Sequence, residues 1–209
     1  MGVRRLAPLG ALALLLLSTI FFYSVWTNRD AEKSLPQLFP TPDFSLTNCN
    51  DTPISRDDLL GKVWLVDFIF TRCGGPCPLM TQRMLLLQQA LKDQFPGEES
   101  RIRLVSVTVD PDYDTPAVLK EYAEVWGADL DNWHFLTGPP DETLKIIREG
   151  FKISANQEGS GSEDMPSMVH STNFLLVDGS GLVRAIYLMD EPGFTDTILT
   201  DVGRLLEEL

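Results

Sequence analysis

The chain has 209 residues, enough for one compact domain of ordinary size plus a tail and short for two. Its 30 acidic residues outnumber 17 basic ones, for a net charge of −13 at pH 7, so nucleic acid and anionic lipid head groups are poor partners for it. Three cysteines cannot all pair within one molecule, which argues against a disulfide scaffold and points to thiols kept for chemistry.

Leu6 to Trp26 contains no charged residue over 21 positions, about the length that crosses a hydrocarbon core as a helix. A cleaved signal peptide has a shorter apolar core followed by small residues, whereas this stretch ends in Tyr23-Ser24-Val25-Trp26. The expectation is an uncleaved anchor, residues 1–28, with Arg4 and Arg5 on the cytoplasmic side and Tyr23 and Trp26 at the interface. All 30 acidic residues lie at or beyond Asp30, so with Arg4 and Arg5 set aside the external part carries −15. Residues 29–42 are polar and punctuated by Pro36, Pro40 and Pro42, and read as a linker.

The domain then occupies residues 43–209. Asp43-Phe44-Ser45-Leu46 and the turn-rich Asn48–Pro53 predict a short hairpin covering a sheet edge. Val63–Phe70 is a nearly continuous apolar, β-branched and aromatic run, as in a central strand buried on both faces. Cys73 and Cys77 follow at once, Pro78 suits the first turn of a helix, and Met80, Met84, Leu87 and Leu91 recur along one helical face.

Ile102–Val109 predicts a second buried strand stopped by Asp110-Pro111. Thr115-Pro116 caps a helix whose apolar face is Val118, Leu119, Tyr122 and Trp126. A short strand is expected at Trp133–Leu136. A helix should run from Pro140 to about Gly150 with Leu144 and Ile147 inward and the glycine at its end. Residues 154–166 are too polar and glycine-rich to pack and read as a mobile loop. Asn173–Val177 and Leu182–Leu188 flank Asp178-Gly179-Ser180-Gly181 as a hairpin, and Ile198, Leu199, Val202, Leu205, Leu206 and Leu209 form the stripe of a closing helix. The order β-α-β-α-β-α-β-β-α is that of a thioredoxin-like α/β fold, a three-layer sandwich with an N-terminal hairpin extension and one N-terminal transmembrane helix.

Thr71-Arg72-Cys73-Gly74-Gly75-Pro76-Cys77-Pro78 places two thiols four positions apart on a loop entering a helix. The helix N-terminus and Arg72 should ease thiolate formation, and the two glycines should let the backbone turn tightly. The sulfurs can join each other or face a common soft metal, and the spacing leaves both open. A metal needs a third donor, and the chain offers His134 and His170. His134 lies between Trp133 and Phe135 in a predicted strand and reads as a sheet histidine. His170 ends the polar loop just before a strand, where a thioredoxin-like sheet brings it to the cysteine loop. Two thiolates and an imidazole form a soft copper site that suits Cu(I) and can also hold Cu(II), with room left for transfer. Zinc is more often closed by a fourth protein ligand. Met165 and Met168 read as ordinary loop methionines, and Cys49 as a lone thiol or an intermolecular disulfide partner. Peroxiredoxin chemistry wants Thr or Ser three residues before its cysteine, where this chain has Phe70.

The strand ending in Phe70-Thr71-Arg72-Cys73 with Cys77-Pro78, the segment Val107–Pro111 with Asp114-Thr115-Pro116, and His170 before a strand and an Asp178-Gly179 turn together resemble the Sco/SenC family over about residues 38–209. The resemblance implies Cys73, Cys77 and His170 as copper ligands and Asp110 as an acidic position linked to copper handling. It further implies a metallochaperone held in the inner membrane by one helix, its C-terminal domain periplasmic or otherwise extracytoplasmic. Its partner would be the copper-site subunit of cytochrome c oxidase, whose assembly it assists, or another copper protein. Gly-Gly-Pro between the cysteines departs from the better-known members, which carry an acidic residue there. The alternative function is an extracytoplasmic thiol–disulfide oxidoreductase that keeps target cysteines reduced, Cys73 attacking and Cys77 resolving.

Overall fold

A computed structural model of the protein describes Ser18, Thr19, residues 34–152 and residues 172–209. The chain divides into two compact units, Met1–Ser34 and Leu35–Leu209. In the first, Ser18 and Thr19 are helical; the rest of the expected anchor lies outside the described residues, as does the expected mobile loop 154–166. Among the described residues no helix is long and apolar enough to cross a membrane.

The second unit is built on β4 (Val63–Ile69), whose seven residues are all buried. β4 pairs in parallel with β5 (Ile102–Thr108), in register from Val63↔Ile102 to Ile69↔Thr108, and β5 pairs in parallel with β6 (Trp133–Thr137). On the other side of β4 comes the antiparallel hairpin of β7 (Asn173–Val177) and β8 (Leu182–Leu188). The hairpin of β2 (Ser45–Asn48) and β3 (Pro53–Ser55) covers the β6 edge as expected. With β1 (Phe39–Pro40), the described strands form one sheet of order β1-β8-β7-β4-β5-β6-β2-β3.

Side chains alternate across this sheet, so each face has its own cover. Trp64 and Phe68 point to the side where both meet Phe151 edge-on. That residue follows α3 (Pro140–Lys145), which continues as a π-helical turn over Ile146–Gly150. Asp67 and Ser106 point to the opposite side, covered by α1 (Cys77–Gln94), α2 (Pro116–Trp126) and α4 (Phe194–Glu208). The three layers and the thioredoxin-like order are those expected.

Three details differ from the sequence reading. Ile147 in the π-helical turn is buried as expected, but in α3 Thr143 takes the buried position while Leu144 is half-buried. Gly150 owes its place to close approach rather than to a left-handed cap: a Cβ there would stand 2.3 Å from Pro42. The linker 29–42 gives its last residues to the domain. Phe39 and Pro40 pair with Val183 and Leu182, and the Leu38 and Thr41 amides donate to the Val183 and Gly181 carbonyls.

Arg184 explains why the domain begins at Leu35. Its guanidinium is 4% exposed and donates to Asp178 at 2.8 Å, to Glu208 at 2.7 Å and to the Leu35 and Pro36 carbonyls at 2.6 and 3.0 Å. One cation thus staples the N-terminal segment, the β7–β8 turn and the end of α4. Truncation would leave a buried carboxylate and two carbonyls without this donor, a strongly destabilising kind of change. Arg184→Ala is therefore expected to lower the unfolding free energy by about 3 kcal/mol in chemical denaturation followed by tryptophan fluorescence.

Candidate functional site

Because β4 and β5 end at the same level, the loops leaving them share one rim of the sheet. The Val109 amide still donates to the Ile69 carbonyl at 2.8 Å, carrying the ladder one step past the strands. The chain then turns through Thr71–Pro76, the Cys73 amide donating to the Phe70 carbonyl at 3.3 Å. α1 opens at Cys77 with Pro78 in its first turn; the amides of Leu79 and Met80 reach back to the Pro76 carbonyl at 3.0 Å. No side chain caps this terminus.

Cys77 is buried and Cys73 half-buried, and both are free thiols. The two thiols act on each other electrostatically, and Cys73 Sγ accepts from the Gly75 amide at 3.3 Å. Easier thiolate formation, expected from the helix terminus, does not hold for Cys77. Burial pushes its thiol well up, the neighbouring Cys73 adds to this, and a backbone hydrogen bond with Phe70 opposes it without winning. Neither Gly74 nor Gly75 adopts a positive φ, and a Cβ on Gly74 would meet nothing within 4 Å, so the turn does not require glycine.

Arg72 turns away to the β5–α2 connection. Its Nε donates to Asp110 Oδ2 at 2.6 Å, and its guanidinium lies 4.7 Å from the centre of the Tyr113 ring. The cation expected beside the cysteines is therefore engaged by a carboxylate and an aromatic face. Behind it, Asp114 is fully buried and accepts from the Thr71 amide at 3.2 Å and from the Thr71 and Thr108 hydroxyls, each at 2.5 Å.

A second carboxyl lies within β4. Asp67 is fully buried; Trp133 Nε1 donates to Ser106 Oγ at 3.0 Å, and the Ser106 hydroxyl donates to Asp67 Oδ1 at 2.6 Å. Oδ2 has no hydrogen-bond partner in the structure. Burial pushes the Asp67 carboxyl up to about 7 despite the Ser106 bond. Asp67 also acts electrostatically on Cys77 and on Tyr122, whose hydroxyl is 2.7 Å from Thr81 Oγ1. The sequence reading assigns no role to Asp67, and Asp114 enters it only as part of the Asp114-Thr115-Pro116 segment. A lone carboxylate in a strand buried on both faces was the available signal for Asp67. For Asp114 it was an acid immediately before the helix cap Thr115.

The other candidates fall elsewhere. His134 is half-buried on β6; burial lowers its pKa, Arg103 and Lys62 lower it further, and Asp58 opposes them. None of these neighbours belongs to the cysteine loop. Cys49 is a buried free thiol in the β2–β3 turn whose amide donates to the Phe135 carbonyl, and burial raises its pKa. His170, Met165 and Met168 lie outside the described residues. Among the described residues no group of three or more His, Cys, Asp or Glu is arranged to hold a metal ion. The structure thus describes two soft donors of the expected set.

The SCO1/SenC family model matches residues 32–207. The SCO1 protein homolog of Bacillus subtilis (strain 168) is 37% identical over 169 residues, spanning 80% of this chain and 83% of its own length. BsSco, a member of the Sco family of cytochrome c oxidase assembly proteins in which a disulfide switch has been identified, matches with a TM-score of 0.69 and 33% identity over 82% of this chain and 97% of its own. The copper-bound structure of Bradyrhizobium japonicum ScoI matches with a TM-score of 0.63 at 22% identity, covering 79% of this chain and 99% of its own, a likeness of fold.

The Asp67 carboxyl makes stability depend on pH in a definite direction. Its pKa in the folded protein lies above the ordinary value of 3.8, so the folded state holds the proton more tightly. The stabilisation this gives is complete below pH 4 and is lost as pH rises toward 7 and through it. Asp67→Asn cannot ionise. Relative to it, the wild type is expected to lose on the order of 4 kcal/mol between pH 4 and pH 8, read from paired denaturation curves.

Proposed function

This chain belongs to the SCO1/SenC family, and on that footing we propose that it binds copper through Cys73, Cys77 and His170 and assists assembly of the copper centre of cytochrome c oxidase. The observation that carries the reading is the pair of free, electrostatically coupled thiols at the mouth of α1, one buried and one reachable. Two sulfurs form a soft half-site for Cu(I), and an imidazole from the segment before β7 would complete three-coordination. Leu6–Trp26 would hold the protein in the inner membrane, with residues 29–42 as linker and the domain outside the cytoplasm.

The same pair supports a second role. Two thiols this close can pass to a disulfide with release of two protons and two electrons, and the joined sulfurs are then lost as ligands. Oxidation state would govern copper loading, and the dithiol could reduce a target disulfide. The imidazole is needed for the first role and dispensable for the second.

Reduced protein loaded with Cu(I) and freed of excess metal is expected to hold about one copper per chain, falling to near none in Cys73→Ser and Cys77→Ser and markedly reduced in His170→Ala. Metal analysis after gel filtration reads this directly. Full copper in Cys77→Ser would place the site elsewhere. Unaltered copper in His170→Ala, with thiol exchange intact, would leave the redox role standing alone.

A further inference from the structure

We infer that Asp114 is a positioning residue for the cysteine pair: its buried carboxylate holds Thr71, two residues before Cys73, and thereby sets how Cys73 is presented to Cys77. The inference rests on reading that pair as the functional one. It concerns a residue outside both the thiol pair and its metal donors.

The geometry is a clamp between three chain segments. Asp114 takes three donors: the Thr71 amide at 3.2 Å, the Thr71 hydroxyl at 2.5 Å and, from the end of β5, the Thr108 hydroxyl at 2.5 Å. Two of the three come from the cysteine loop. The carboxylate is itself well anchored. Its amide donates to the Asp110 carbonyl at 2.9 Å, the Asp110 amide donates to Thr108 Oγ1 at 3.0 Å, and the next residue, Thr115, caps α2 through the Val118 amide. Thr71 is therefore tied to a rigid corner made of a strand end and a helix start, both from a different part of the chain.

On the far side, Cys77 is held by the first turn of α1, under the reach of the Pro76 carbonyl. Between these two fixed points run only Arg72 to Pro76, with Gly74 and Gly75 among them. Gly74 is exposed with nothing within 4 Å of where a Cβ would stand. Cys73 rests against the core and keeps its amide on the Phe70 carbonyl, but the glycines beyond it add little to hold the loop. Anchoring Thr71 shortens its free length and keeps the half-buried sulfur facing the buried one. The outer pair, Arg72 with Asp110, is half-exposed on the arginine side and is the weaker fastening. Preorganisation of this kind acts on any process needing both sulfurs together, whether closing a disulfide or gripping a metal.

The test uses the dithiol–disulfide equilibrium of the full chain, in which the two thiols and one oxidised glutathione give the protein disulfide and two reduced glutathiones. Copper is absent, so the result does not depend on the metal reading. Asp114→Ala and Thr71→Val are expected to lower the equilibrium constant for disulfide formation about ten-fold, while Thr71→Ser, which keeps the amide and hydroxyl donors, stays within about two-fold of wild type. Asp178→Ala is the control. It removes a buried carboxylate from the β7–β8 turn, at the opposite end of the sheet, and should lower the melting temperature without moving the equilibrium. If Asp114→Ala does not fold, Thr71→Val decides. Values within two-fold of wild type for every folded variant would overturn the inference while leaving the cysteine site intact. A shift in Asp178→Ala as large as that in Thr71→Val would overturn it as well, reducing the effect to lost stability. A wild-type protein that forms no Cys73–Cys77 disulfide at any glutathione ratio would instead overturn the reading of the pair, and the inference with it.

Discussion

The in-register parallel pairing of β4 with β5 is the constraint from which the rest of the site follows. Seven consecutive residue pairs, Val63↔Ile102 through Ile69↔Thr108, make both strands end at one level. The cysteine loop and the β5–α2 connection consequently leave the sheet side by side, and Thr71 meets Asp114 across 43 positions of sequence. Burial on both faces enforces the register. A slip by one residue would turn Asp67 and Ser106 toward the aromatic cluster of Trp64, Phe68 and Phe151 and expel apolar side chains from their places.

Polar groups buried along this frame meet different ends. Asp114 accepts from three donors and gathers strand, loop and helix at one point, although burial outweighs these bonds and raises its pKa. Asp67 has a single hydroxyl donor and an oxygen left over, so burial decides its protonation and its presence costs stability once ionised. Arg184 lies at the other end of the sheet with carboxylates and carbonyls around it, a structural use of charge remote from the thiols. A carboxyl left half-satisfied in the core, acting electrostatically on Cys77 where apolar residues would pack at less cost, is the kind of local conflict found where a fold serves chemistry.

Much of the architecture was legible because its signals are local. Alternating or continuous apolar runs marked the strands, helical spacing marked the Met80–Leu91 and Ile198–Leu206 faces, and the Asp178-Gly179 turn marked the last hairpin. Where the reading fell short, the missing information was long-range. Phe39–Pro40 is too short to show a period, and it joins the sheet because β8 offers an edge and Arg184 holds the preceding carbonyls. Gly150 ends the helical segment as its sequence suggests, but what requires a glycine there is Pro42, from a segment more than a hundred residues earlier.

From the residues alone came the element order, the place of Cys73 and Cys77 between a strand and a helix, and the family, since each depends on neighbours within a turn or a strand. The protonation of Cys77, the engagement of Arg72 by Asp110, and the parts played by Asp67 and Asp114 were decided only by the folded chain. Desolvation and hydrogen-bond partners are properties of what surrounds a group in space, and here those surroundings are supplied by segments tens of residues away.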